Sequence, residues 1–149
     1  MEKVFAKPFI QALDNHSDGV TVLAKNRHNL REMISGSADG EIIMWSIPER
    51  KALFQINAHK QFVRGLTFAN NSPIAADTIF VSTGADNKIN LWSTNKLKKQ
   101  YEEFGPTSDT LIGNERALAV AKNYAPRAIY MSKHALTGLD HSYSENLFA

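Results

Sequence analysis

The chain of 149 residues has no cysteine. That excludes a disulfide framework, a thiolate nucleophile and any cysteine metal site, and makes a reducing compartment the default expectation. No apolar run approaches 18 residues, so no helical membrane span is expected. Met1 to Pro8 lacks the apolar centre of a signal peptide. The glycosylation patterns at Asn15 and Asn70 therefore read as chance matches. A net charge of +2 permits contact with nucleic acid without demanding it. There is no Gly-x-Ser-x-Gly, phosphate loop, His-Glu-x-x-His or pair of carboxylates on one strand, so nothing points to an enzyme, and no cofactor is expected. What remains is ordinary for a globular protein, with 43% apolar and 21% charged residues.

What the chain does have is an internal repeat. Ser37-Ala-Asp-Gly-Glu-Ile-Ile-Met-Trp45 returns as Gly84-Ala-Asp-Asn-Lys-Ile-Asn-Leu-Trp92. The offset is 43 positions from His16 to His59 and 47 from Trp45 to Trp92. The extra four fit an insertion in the loop 69–78, where loops tolerate length changes that strands do not. Each unit holds apolar runs of strand length divided by turn residues. Asp39-Gly40 and Asp86-Asn87 suit tight turns because Gly and Asn accept positive φ. Fourth strands fit Ala52 to Ile56 and, before the first unit, Phe9 to Leu13. Four strands at such a period describe a β-propeller blade. The expected fold is therefore all-β: about two four-stranded blades and the start of a third, in an incomplete ring. The divisions are an outer strand over 1–13, blade one over 14–56, blade two over 57–131 with an inserted loop at about 94–125, and a third blade opening at 132–149. Such a chain cannot close a ring alone, so a piece of a longer protein is expected, with a ring of several copies as the weaker reading. The polar segment Thr94 to Glu103 reads as a solvated loop or short helix, with a partner-binding insertion as the sharper reading. Strand character resumes at Ala128 to Met131 and again at Ala135 to Leu139.

His16, Ser35, Asp39 and Trp45 recur in register as His59, Ser82, Asp86 and Trp92. On these residues the units resemble WD repeats. The resemblance implies that each set forms a hydrogen-bonded relay inside its blade, each group satisfying a neighbour that would be costly to bury alone. Departures from the pattern are Asn15 and Ala58 before the histidines, and Ser46 and Ser93 after the tryptophans. A metal or acid–base reading of the same His and Asp residues fails on spacing, which matches no compact ligand motif. His134 is too close to the following strand to count as a third relay histidine.

Val4-Phe-Ala-Lys-Pro-Phe9, Leu13-Asp-Asn-His-Ser-Asp-Gly-Val20, Ala58-His-Lys-Gln-Phe-Val-Arg-Gly-Leu66 and Leu136-Thr-Gly-Leu-Asp-His-Ser142 follow in order. This set resembles the suppressor-of-fibrillarin family of nucleolar WD-repeat proteins. That resemblance implies a non-catalytic scaffold of the small-subunit processome, needed for maturation of small-subunit ribosomal RNA. It also implies a nuclear and nucleolar location, processome proteins as partners, and precursor ribosomal RNA or small nucleolar RNA bound directly or indirectly. The alternative is a substrate receptor of a cullin-type ubiquitin ligase, with ligase subunits as partners, or another WD-repeat interaction scaffold. Receptors of that class often use a Trp-Asp-x-Arg box, and neither Trp45-Ser-Ile-Pro nor Trp92-Ser-Thr-Asn is one. No membrane or small-molecule partner is expected. Candidate partner-binding residues are Lys60, Phe62 and Arg64 before and at the start of an inner strand, and Arg27 in a loop. An arginine at a rim can hold phosphate or carboxylate in a two-pronged contact. Phe62 itself reads as a buried strand-start residue.

Overall fold

A computed structural model describes residues 12–69, 77–104 and 125–142. Two four-stranded antiparallel sheets follow one another along the chain. The first runs β1 Val20–Lys25, β2 Glu32–Ser37, β3 Glu41–Ser46, β4 Lys51–Asn57, in that spatial order. The second runs β5 Val63–Phe68, β6 Ile79–Gly84, β7 Lys88–Ser93, β8 Ala128–Met131, also in chain order. Between β7 and β8 stands helix α1, Thr94–Phe104. These are two propeller blades, open at both ends of the stack. The expected outer strand at Phe9 to Leu13 lies outside the described residues except for Ala12 and Leu13, which are not strand.

The turns form where the sequence permits a left-handed residue. Gly40 has φ +89° and Asn87 has φ 59°, and each N–H closes back on the carbonyl of Ser37 or Gly84. Gly40 is required twice over, because a Cβ there would stand 2.1 Å from the His59 carbonyl oxygen. In both blades the innermost strand carries a bulge, at Thr21 in β1 and Arg64 in β5.

Register sorts each strand into two faces. Ile34, Ile42, Met44, Phe54 and Ile56 share one face of the first sheet through the pairs Ile34–Met44, Ile42–Ile56 and Met44–Phe54. They meet Leu66, Phe68, Phe80 and Trp92 of the second sheet in one continuous core. Phe54 stacks on Phe80 at 6.2 Å and Phe80 on Trp92 at 6.1 Å, the first of these across the seam. Each side chain buried there contributes about 1.5–3 kcal/mol, so the seam between blades holds the apolar stabilisation.

Helix α1 closes the seam from outside. Leu97 is buried in the same core, and the helix packs on β4 of the other blade. Its start is fixed by capping: Ser93 Oγ accepts from Lys96 N at 3.3 Å, and Asp77 Oδ1 accepts from Asn95 N at 3.4 Å. The segment therefore takes the helical form of the two expected, and one of its faces is core. Strand β8 forms as expected, but residues 135–139 are not a strand. The inserted loop beyond Phe104 and the loop insertion at 70–76 lie outside the described residues.

Candidate functional site

In blade two the four repeat residues come together. Trp92 Nε1–H donates to Ser82 Oγ at 2.9 Å, and Ser82 Oγ lies 2.9 Å from His59 Nε2. His59 Nδ1 lies 3.0 Å from Asp86 Oδ1. A carboxylate can only accept, so Nδ1–H donates to Asp86, and Nε2, left without a proton, accepts from the Ser82 O–H. That order requires a neutral imidazole. Burial pushes the His59 pKa below its ordinary 6.5, outweighing the upward pull of the Asp86 hydrogen bond and charge. Burial pushes Asp86 the other way, but the hydrogen bond and charge of His59, with the N–H groups of Lys60 and Lys88, hold it below 3.8.

This connectivity is that of a Ser-His-Asp nucleophile set, and accessibility decides against that use. Ser82 is 0% exposed, and its Oγ is covered by the Trp92 indole. No substrate carbonyl can reach it, so the arrangement is a brace between strands β6 and β7 and the loop before β5.

Blade one differs. Trp45 Nε1–H donates to Ser35 Oγ at 2.7 Å, and Ser35 Oγ lies 2.6 Å from His16 Nε2. His16 Nδ1, however, pairs with Glu41 Oε2 at 3.0 Å, not with Asp39. Asp39 instead accepts from Ser17 Oγ at 2.6 Å, from the Ser37 hydroxyl and from Glu41 N at 3.0 Å. Burial raises its pKa, but these bonds, with the nearby His16, hold it below the usual value. At this site two side chains differ between the repeats, Ser37 against Gly84 and Glu41 against Lys88. Where blade one has Ser37, blade two has Gly84, and a Cβ on Gly84 would stand 2.5 Å from His59 Nδ1. The Ser37 hydroxyl takes the carboxylate, and Glu41, buried and also bound by Gln55, takes the histidine. Ser37 against Gly84, with Glu41 against Lys88, in the aligned repeats was the available signal for this exchange.

His141 is a residue the spacing argument passed over. It is 4% exposed, while His134 is exposed. Leu139 beside it packs under Gly65, where a Cβ would meet Leu139 Cβ at 2.7 Å. The string Leu139-Asp-His-Ser142 echoes Leu13-Asp-Asn-His-Ser17 and would have identified it. The expectation of a strand at 135–139 hid the match.

Of the partner-binding candidates, three gather and one does not. Lys60 and Phe62 lie in the loop between β4 and β5, and Arg64 is the bulge residue of β5. Arg64 Cζ stands 4.7 Å from the centroid of the Phe62 ring. Its Nε is buried with no hydrogen-bond partner. Phe62 is 40% exposed, which corrects its reading as a buried residue. Val63 takes the core position instead, and the bulge leaves Phe62 and Arg64 together on the rim. Lys60 is exposed beside them, with its N–H on Asp86 Oδ2 at 3.3 Å. Arg27 lies in the β1–β2 loop at the other end of the strands. Among the described residues no group of His, Asp and Glu could hold a metal ion, and no helix is long and apolar enough to cross a membrane.

The sequence is similar over its whole length to proteins named DDB1- and CUL4-associated factor 13. Identity is 35% to that of Pongo abelii and 34% to those of Mus musculus and Homo sapiens. The chain spans 28% of the length of each of these relatives. These names correct the resemblance to the suppressor-of-fibrillarin family. With it go the processome role and the RNA and nucleolar partners it implied, which none of the relatives' names supports. The family model "WD domain, G-beta repeat" matches residues 7–46 and 50–93, the two blades up to the start of α1. With two matched repeats folded as two four-stranded sheets, the chain belongs to the WD40 repeat family.

Proposed function

We propose that the protein is a non-catalytic substrate receptor of a cullin-type ubiquitin ligase, docked on DDB1 and CUL4. The observation that carries this reading is the similarity, along the whole of this chain, to part of proteins whose name states association with those two subunits. The fold supports it: the blade pair presents loops at both ends, and the Ser-His-Asp set among the described residues is buried. Lys60, Phe62 and Arg64 form the surface assigned to substrate. Arg64 offers a planar fork of donors and Phe62 an exposed ring face, a combination suited to a carboxylate beside an apolar group. Neither blade corner offers a Trp-Asp-x-Arg box. Ser46 is buried at the end of β3, and Ser93 caps α1. DDB1 is therefore assigned to another surface of the protein.

The test is to tag the complete gene product in its own cells, purify it gently and identify what accompanies it. DDB1 and CUL4 in stoichiometric amounts are the expected result. Their absence from a folded, soluble preparation would sink the proposal. Arg64→Ala should then keep DDB1 and lose the substrate proteins, separating the rim from the ligase contact.

A further inference from the structure

At the end of blade one opposite the histidine relay, the β1–β2 loop and the β3–β4 turn lie side by side. Ile47 N–H donates to Arg31 carbonyl oxygen at 2.8 Å and fastens the two together. Helix α1 reaches this corner from the second blade, with Lys98 Nζ 2.5 Å from Glu32 Oε1. Between helix and loops an open cleft of about 380 Å³ remains, lined by Arg31, Ser46, Pro48, Glu49, Leu53 and Lys98 among others. Its lining charges are two bases, Arg31 and Lys98, and two acids, Glu32 and Glu49, but one base is left without an ion pair. Glu32 is paired with Lys98, and Glu49 with Lys51 at 2.6 Å. Among the described residues no carboxylate pairs with Arg31. Leu53 in its lining packs partly against the core, whereas two apolar residues flanking the lining are exposed. Leu30, between two lining residues, is 76% exposed, and Ile47, between two others, is 41% exposed. Exposed branched side chains grouped at one cleft mark an interaction surface more often than a solvated loop.

We propose that this cleft docks a segment of a partner protein in which a bulky apolar residue stands beside an Asp or Glu. The apolar side chain lies against Leu53 and Pro48, and the carboxylate takes the Arg31 guanidinium in a two-pronged contact. Charge complementarity selects this occupant, because both cleft carboxylates are already neutralised and the unpaired charge is positive. The surface is separate from the Arg64 rim and does not depend on the ligase reading.

A phage-displayed library of random heptapeptides, panned on the full-length protein, tests it. Enriched peptides should carry the acidic–apolar pair, and a synthetic copy should bind at least tenfold more weakly to Arg31→Glu and to Ile47→Asp. Both variants replace exposed residues and should melt as the wild type does. Arg31→Lys keeps the charge but not the fork, so it should weaken binding, though less than Arg31→Glu does. A charge-swapped peptide, with Lys for each acid, should prefer Arg31→Glu. Enriched peptides without an acid, or binding indifferent to both variants, overturns the proposal. So does an empty selection, and so does a concentration-dependent dimer abolished by Ile47→Asp, which would make a second copy the occupant.

Discussion

Ser82 joins two buried groups that have no other described partner, the Trp92 indole N–H and His59 Nε2. Ser82→Ala should therefore cost more than one hydrogen bond, since each stranded buried group costs about 1–3 kcal/mol. Chemical denaturation of the full protein measures it. Trp92→Ala removes the same donor and a stacked core ring, and should cost about 3–5 kcal/mol; an unchanged midpoint would remove the relay from the account of stability. The same relay sets a pH dependence. His59 is depressed below 6.5 in the fold, so above that pH folded and unfolded chains hold equal protons at this site. As pH falls below 6.5 the unfolded imidazole charges while the folded one resists, and stability is lost through that window. Asp86 and Asp39, held below 3.8, contribute stability that is present above 3.8 and lost on further acidification. Melting temperatures from pH 7.5 downward should fall first below 6.5. His59→Gln should start less stable and lose that first slope.

At the scale of elements, the two blades use one repeat with two solutions, set by Gly84 against Ser37 and Lys88 against Glu41. Gly84→Ser places a Cβ against His59 Nδ1 and Asp86 Oδ1. It should break the His59–Asp86 bond and cost about 1–3 kcal/mol, read as a lower denaturant midpoint with an unchanged slope. Gly40→Ala combines a left-handed φ with a clash on the His59 carbonyl, so the turn of blade one would push on the relay of blade two. Helix α1 is an element the repeat does not require, yet Leu97 puts it in the seam. Leu97→Ala should destabilise by about 2–5 kcal/mol, whereas Lys98→Ala, at a partly exposed ion pair, should cost under about 1 kcal/mol. If both substitutions were neutral, α1 would be a passenger on the blade pair and not its clasp.

For the whole molecule, the two blades behave as one body because the core crosses the seam and the Gly40 carbonyl accepts from both Ala58 and His59 N–H at 3.1 Å. Damage to either face of the seam should lower a single melting transition and not split it in two. Its two ends then carry different surfaces. One end gathers Lys60, Phe62 and Arg64 beside the relay; the other holds the cleft between α1 and the loops of blade one. Ile129, Tyr130 and Met131 on β8 are 54%, 60% and 77% exposed, an apolar outer strand on the side from which the chain runs on to His141. The receptor role proposed above requires separate surfaces of this kind. Arg64→Ala and Ile47→Asp should accordingly remove different partners from a purified assembly.

The sequence by itself determined the blades. Apolar runs of strand length, turn residues that accept positive φ and a repeat of His, Ser, Asp and Trp are local properties, and local chemistry places strands and turns wherever it occurs. It also carried Lys60, Phe62 and Arg64, since loop and strand-start positions follow from the same pattern. Tertiary structure decided what depends on neighbours distant along the chain. Asp39 and Asp86 occupy the same repeat position, but only packing shows that the Ser37 side chain turns one of them away from its histidine. His141 is buried two residues beyond Leu139, which packs under Gly65 of β5, and Phe62 is exposed just before the β5 bulge. The cleft at Arg31 exists only because α1, 66 residues downstream of Glu32 at Lys98, folds back onto blade one. None of these contacts leaves a periodic trace in sequence, because each is set by volume and charge between elements and not by the order of residues within one.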